Sequence, residues 1–416
     1  MKYGLLIHKP TTNLGDDIQT YANMKLLPHV DYIINREDIY KFKPVDEKPV
    51  AVVMAAWWMW NKWCWPPSKY ILPYFTGFHY SDNKAAKQAG CPVGYLFLTG
   101  TGKKYLNNYG PVGCRDYYTR DNLRKLGINA DFTGCITLAL PKQKRIKPEK
   151  EYVCLVDVAK PVERKVREQL KDTNIDVKVI THTVLMEDQL ATPFEQRMQK
   201  AEELLTLYQN AKCVITRRLH AALPCLAMDV PVLLAMKNAK SIRFNPYAEW
   251  LNYCVPIKYV RGECDYDITN PPANPTAYRE YRDKIIKSVE SFVKKCESLG
   301  DVDTDDIDRF KKSDISVAIW RNRKMKKTAE IWEKELNGDL IEDEIAKNNE
   351  LKAQIRKNRF KFRTQNKIYD KLLLRYLAQA RRIYDSPEKK EERKRAREAA
   401  KKAKLEAEQA SQNNNP

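Results

Sequence analysis

Short apolar runs alternate with segments of helical period through the first 140 residues. YGLLIH, DYIIN, VAVVMAAWW, GYLFLTG and VGCRD read as strands, and DDIQTYANMKLL and TRDNLRKLG as helices between them. Strands separated by helices imply crossover connections and a mostly parallel sheet. A second series follows residue 150. YVCLVDV, DVKVITHT, CVIT and VPVLLAM are strand-like, while PVERKVREQLKD, PFEQRMQKAEELLTLYQNA and HAALPCLAMD are helix-like. PKQKRIKPEK (141–150) is basic, flanked by proline and without an apolar period, so it reads as the linker between the two series. AYREYRDKIIKSVESFVKKCESLG (277–300) predicts a long helix that crosses back over the first series.

The pattern therefore predicts an α/β protein with Rossmann-like domains over 1–146 and 147–268, a crossing helix within 269–300, and a charged helical extension with a polar tail over 301–416. A length of 416 residues agrees with more than one core.

Charge refines this picture. Of the net +20, residues 351–416 carry twelve, with 20 Lys and Arg against 8 Asp and Glu, so the body is only mildly basic. KIYDKLLLRYLAQARRIYD (367–385) places Ile368, Leu372, Tyr376 and Ile383 near one helical face among cations. Such a helix suits peripheral contact with an anionic membrane, and packing on the body or on a second subunit is the equal alternative. Lys and Arg alternate with Glu and no reading motif is present, which disfavours nucleic acid.

The ten cysteines are scattered, without a CxxC pair or zinc spacing, and are expected to be buried thiols. The N-terminus lacks a secretory pattern. The longest apolar run, VAVVMAAWWMW, is about half the ~20 residues of a membrane span. A cytoplasmic protein is expected.

Candidate chemistry lies where strands end. In open α/β sheets ligands bind beyond the carboxyl ends of the strands, against helix N-termini. TRRLHAALPC places Arg217, Arg218 and His220 at such an edge, where an extended turn would point Arg218 and His220 to the same side. Guanidinium groups and a helix N-terminus suit a carboxylate or phosphate, and a histidine moves protons near neutral pH. Helix capping and surface ion pairing are the alternative. GPVGCRDYYT has the same form, with Arg115 either facing the cleft or pairing with Asp116. In HKPTTNLGDDIQTYA, Asn13 and Gly15 shape a turn, and Asp16 either caps the helix or faces the cleft. Five of the eight Trp lie within nine residues; one or two of Trp57, Trp58, Trp60 and Trp63 are expected to stack on a sugar, the others forming core.

GCRDYYT…LRKLGINADFTGCITLAL and TRRLHAALPCLAMDVPVLLA, with NLGDDIQTYA, WPPSKYILPYFTGFHY and SIRFNPY, resemble the polysaccharide pyruvyl transferase family over roughly residues 1–265. The resemblance implies a GT-B-like arrangement, with an acceptor side in the first domain and a donor side in the second. It also implies transfer of the enolpyruvyl group of phosphoenolpyruvate onto two hydroxyls of a sugar or glycan, free or lipid-linked. On that pattern Arg115 and Arg218 hold the donor, with Arg217, Asn13 and Gly15 as further donor-side candidates, and His220 is the acid/base; Arg217 has no firm role there, and the basic extension is not part of the common pattern. Asp16 is the second candidate for activating a hydroxyl. No cofactor or metal is implied. A glycosyltransferase using a nucleotide sugar is the alternative enzyme, since a diphosphate also suits arginine and a helix N-terminus, and a non-catalytic sugar-binding protein is the third reading.

Overall fold

The computed structural model describes residues 1–9, 11–58, 65–80, 98, 100–238 and 244–299. The chain divides into units of residues 1–321 and 322–416, and every described residue lies in the first. GYLFLTG, except for Leu98 and Gly100, and the basic helix expected at 367–385 lie outside the described residues.

The first half contains strands β1 (Lys2–Ile7), β2 (Tyr32–Asn35), β3 (Val50–Val53), β4 (Trp57–Trp58), β5 (Ile71–Tyr74), β6 (His79–Tyr80), β7 (Val112–Cys114) and β8 (Ala130–Phe132), with helices α1 (Leu14–Met24), α2 (Gly100–Asn108) and α3 (Tyr117–Lys125). After an irregular crossing over 140–151 come β9 (Tyr152–Val156), β10 (Asp176–Ile180), β11 (Cys213–Thr216), β12 (Val232–Ala235) and β13 (Asn252–Cys254). Their helices are α4 (Lys160–Leu170), α5 (Met186–Ala191), α6 (Phe194–Asn210), α7 (Leu219–Ala227), α8 (Pro256–Val260) and α9 (Tyr278–Ser298).

Two parallel sheets result, ordered β2-β1-β3-β5 and β10-β9-β11-β12-β13. Each is covered on both faces, as buried parallel sheets require, and the period of two sorts their residues. Tyr3, Leu5, Ala51 and Val53 face one way and Leu6, Val50 and Val52 the other; Cys154, Val156 and Val214 oppose Val153, Leu155 and Ile215 in the same manner. The first-named set from each sheet joins one shared core with residues of α1, α6, α7 and α9. The two sheets therefore share a middle layer. Helix α9 closes it, stacking Phe292 on Tyr74 at 5.0 Å and Tyr281 against Phe132 and Trp250 at 5.3 and 4.9 Å.

Register sets what leaves each sheet together. Ile7 pairs with Asn35, so His8 and Arg36 emerge side by side; Val156 pairs with both Ile180 and Thr216, so Asp157, Thr181 and Arg217 leave one edge. The eight cysteines among the described residues are free thiols, buried except for the half-buried Cys264. No helix among them is long and apolar enough to cross a membrane.

Candidate active site

The β1–α1 turn joins the two sheets. Leu14 N–H donates to the His182 carbonyl (2.8 Å), Val184 N–H donates to the Thr12 carbonyl (3.0 Å), and Asn13 pairs antiparallel with Thr183. The Asn13 side chain caps α1 by accepting the Gly15 N–H at 3.2 Å. Gly15 permits a close approach: a Cβ there would lie 2.9 Å from His220 Cβ and 3.0 Å from its Nδ1. The first turn of α1 thus rests on the first turn of α7. Asp16 is buried and accepts the Thr11 hydroxyl at 2.6 Å.

The RRLH block separates its three side chains. Arg217 is exposed. Arg218 has extended backbone, its N–H held by the Thr216 hydroxyl (2.9 Å), and reaches sideways: Nε donates to Asp157 (2.7 Å) and Nη2 to Thr183 (2.9 Å). His220 is only 4% exposed and turned inward, with Nε2 3.7 Å from Cys135 Sγ, which in turn accepts the Thr137 hydroxyl at 3.2 Å. The expectation that Arg218 and His220 share a side is therefore corrected. The turn ends at Arg218 and the helix begins at Leu219, so the period of two no longer applies. Pro224 lacks the N–H that would bond the His220 carbonyl, and the backbone kinks at His220 (φ −82°, ψ 17°).

Asp157 takes a positive φ of 52° where β9 ends. Burial pushes its carboxyl up. Hydrogen bonds from His182 N–H, the Thr181 hydroxyl and the Arg218 guanidinium outweigh that and hold it below the usual carboxylate range.

Arg115 follows β7 and is 2% exposed. Its neighbour Asp116 does not neutralise it by hydrogen bonding. Asp116 instead caps α3 through Thr119 N–H (2.8 Å) and pairs with His79 Nδ1. Arg115 Nη1 is buried with no hydrogen-bond partner among the described residues, while the Arg115 carbonyl accepts the Tyr247 hydroxyl. An orphaned buried guanidinium nitrogen is costly, and such a group requires an explanation.

His8, at the end of β1, lies beside Arg36 by register, and its carbonyl accepts Arg197 Nη2. Burial first, then Arg36, His220, Arg197 and Arg115, holds its pKa well below the ordinary imidazole value. Arg36 is satisfied by Glu37 (2.7 and 2.9 Å) and the Trp57 carbonyl (2.8 Å), and its guanidinium lies 4.3 Å from the centre of the Trp57 ring. Arg197, on α6, is satisfied by Asp17 and the His8 carbonyl (3.1 Å). Among the described residues, Arg115 alone of these three guanidinium groups leaves a buried nitrogen unpaired.

The tryptophans divide. Trp57 is half-buried beneath Arg36, whereas Trp58 is wholly buried against Trp65 and Phe78 at 5.2 and 5.7 Å, so core packing accounts for its ring and leaves no face for a sugar. Trp60 and Trp63 lie outside the described residues.

A family model described as polysaccharide pyruvyl transferase matches residues 13–236, which span α1, both sheet edges and β12. The chain belongs to the polysaccharide pyruvyl transferase family. None of the curated proteins matches it. Membership makes this pyruvyl transferase family member a transferase with a polysaccharide or glycan acceptor. Among the described residues no group of three or more His, Cys, Asp or Glu is placed to hold a metal ion.

His8, Asp17, Arg197, Cys135 and Asp157 were not singled out in the sequence. His8 and Asp157 obey the strand-end rule that found Arg115 and could have been found by it; Asp17 and Arg197 meet across 180 residues without a local signal.

Burial also bears on pH. His182 donates to or accepts from the Tyr208 hydroxyl at 2.7 Å and has its pKa lowered to about 4, chiefly by desolvation. Below the ordinary value of 6.5 the unfolded chain binds a proton that the folded chain refuses, so stability falls as pH drops from 6.5 towards 4, by about 1.4 kcal/mol per unit from this group. Urea midpoints should track that decline, and His182→Gln, which keeps a partner for Tyr208, should flatten it.

Proposed function

We propose that this transferase moves the enolpyruvyl group of phosphoenolpyruvate onto two hydroxyls of one sugar in a glycan, forming a cyclic ketal and releasing phosphate. The observation that carries the reading is the buried, unpartnered Nη1 of Arg115. A small donor with two anionic groups needs two separated cationic sites, and Arg115 and the half-exposed Arg218 follow strands of different sheets. Arg217, Asn13 and Gly15 complete the donor side. In this reading residues 1–146 and 147–268 act as a GT-B-like pair, with Trp57 on the acceptor side, and the acceptor is free or lipid-linked.

The chemistry balances with two protons. One, delivered through His220, goes to the methylene carbon and becomes part of the new methyl group. A sugar hydroxyl attacks the resulting cationic carbon and a C–O bond forms as the hydroxyl proton is lost. The C–O bond to phosphate then breaks, a second hydroxyl closes the ring, and of the two hydroxyl protons one replaces that taken from His220 and the other leaves on phosphate. Asp16 accepts a hydroxyl proton in this scheme.

The test is donor use. Incubated with a panel of acceptor sugars, the enzyme should release phosphate from phosphoenolpyruvate and give a product heavier than the acceptor by pyruvate less water. Release of nucleoside diphosphate from a nucleotide sugar, with phosphoenolpyruvate untouched, overturns the reading.

A further inference from the structure

His8 carries a second orphan. Its Nε2 is buried with no hydrogen-bond partner among the described residues, and by register His8 leaves β1 beside Arg36, whose guanidinium lies over the Trp57 ring. These two unsatisfied atoms, each just past a strand end, differ in character: Arg115 Nη1 can only donate, whereas the character of His8 Nε2 depends on its tautomer.

The other ring nitrogen settles the tautomer. Thr20 Oγ1 lies 3.5 Å from His8 Nδ1, and the same hydroxyl donates its single hydrogen to the Leu6 carbonyl at 3.1 Å. Towards His8 it has only lone pairs to offer, so Nδ1 carries the ring hydrogen and Nε2 is a bare acceptor. The surrounding guanidinium groups reinforce this by opposing a second proton on the ring.

A bare acceptor among cations selects its ligand narrowly. A carboxylate or a fully ionised phosphate ester has no hydrogen to give it. An ammonium group is disfavoured by the guanidinium groups of Arg36, beside His8 by register, and Arg197, whose Nη2 donates to the His8 carbonyl. A neutral hydroxyl satisfies both constraints, because it donates to Nε2 while its oxygen remains in the positive field. We infer that His8 Nε2 accepts a hydrogen bond from a hydroxyl of the acceptor sugar, making His8 an acceptor-reading residue on the side of Arg36 and Trp57. The inference rests on the pyruvyl-transfer reading for the identity of the acceptor.

Isosteric amides separate the two ring nitrogens. Asn places its amide nitrogen where Nδ1 stands, keeping the bond to Thr20 and removing the distal acceptor; Gln reaches the position of Nε2 with its carbonyl oxygen. Dissociation constants for methyl hexopyranosides and their monodeoxy analogues, measured by tryptophan fluorescence without any donor, should weaken about 30-fold in His8→Asn and less than about fivefold in His8→Gln. Removing the hydroxyl that is read should weaken binding to the wild type by a similar factor and leave His8→Asn nearly unaffected, which is the coupling a shared contact produces. Equal losses in both proteins, or unchanged binding in His8→Asn, overturn the inference. Because this measurement uses no phosphoenolpyruvate, failure of the donor assignment leaves it readable. Should His8→Asn fail to fold, the His8→Gln protein against the same deoxy series decides the matter: loss of discrimination there counts against His8.

Discussion

Arg115→Met is expected to lower kcat/KM for the donor by about a thousandfold, the scale on which preoriented charged donors act in water-excluded sites. The same change should leave the folded state as stable as the wild type or more so. The guanidinium is 2% exposed and leaves Nη1 without a partner, so the native protein bears a desolvation cost that a methionine of similar reach removes. Replacing buried charge by well-packed apolar groups is often stabilising, by about 1–4 kcal/mol. Activity and stability should therefore move in opposite directions, as read by phosphate release and by the urea midpoint. A residue that merely braced the fold would lose both together. Wild-type turnover in a folded Arg115→Met protein would remove the central support of the proposed function.

Arg197→Met should have the opposite signature, a large loss of stability. Asp17 and Arg197 are both essentially inaccessible and pair across the middle layer, with Gln189 Nε2 also donating to the carboxylate. Burial already raises the Asp17 pKa despite these partners, so removing the guanidinium leaves an ionised carboxylate with little to hold it. Breaking a buried pair from one side costs about 3–5 kcal/mol, while replacing both members by apolar or neutral groups costs far less. The double variant Asp17→Asn with Arg197→Met should accordingly recover most of the loss seen in the single variant. A single-variant loss below about 1 kcal/mol, or strict additivity in the double variant, would show that the pair is incidental.

What the sequence made legible was whatever had a strong local period. The parallel strands β1, β3, β9, β11 and β12 and the helices α1, α4, α6 and α9 coincide with apolar patterns that only one conformation explains. Strand β5 escaped because ILPY holds Pro73, which a central strand would exclude and an edge strand tolerates; β5 is the edge. VAVVMAAWW reads as one strand yet forms β3 and then the separate β4, a break that an all-apolar run cannot announce.

At the site, the strand-end rule located Arg115, Arg218 and His220, but not how deeply each would sit. The local pattern puts His220 at the strand edge on the same side as Arg218, and it is buried because α7 begins one residue earlier, at Leu219. Asp16 and Asp17 differ by one position and about 100° around a helix; only Arg197, far along the chain, makes Asp17 the one in the ion pair. The tryptophan run had no period to divide core from surface, and the division between Trp57 and Trp58 rests on Arg36, 21 residues upstream, whose Nη1 bonds the Trp57 carbonyl.

The stitching of residues 12–14 to 182–184 has a consequence for biosynthesis. A ribosome releases the first sheet long before it has made the segment that receives Leu14 N–H or the helix that brings Arg197 to Asp17. Until then the nascent half holds a turn with unfilled bonds, a carboxylate without its counterion and an apolar face awaiting the second sheet. Its residues can reach sheet-like order early, but the bonds to the His8 carbonyl and to the β1–α1 turn form only after chain segments some 170 to 190 positions apart have met, a long-range search that is slow by nature.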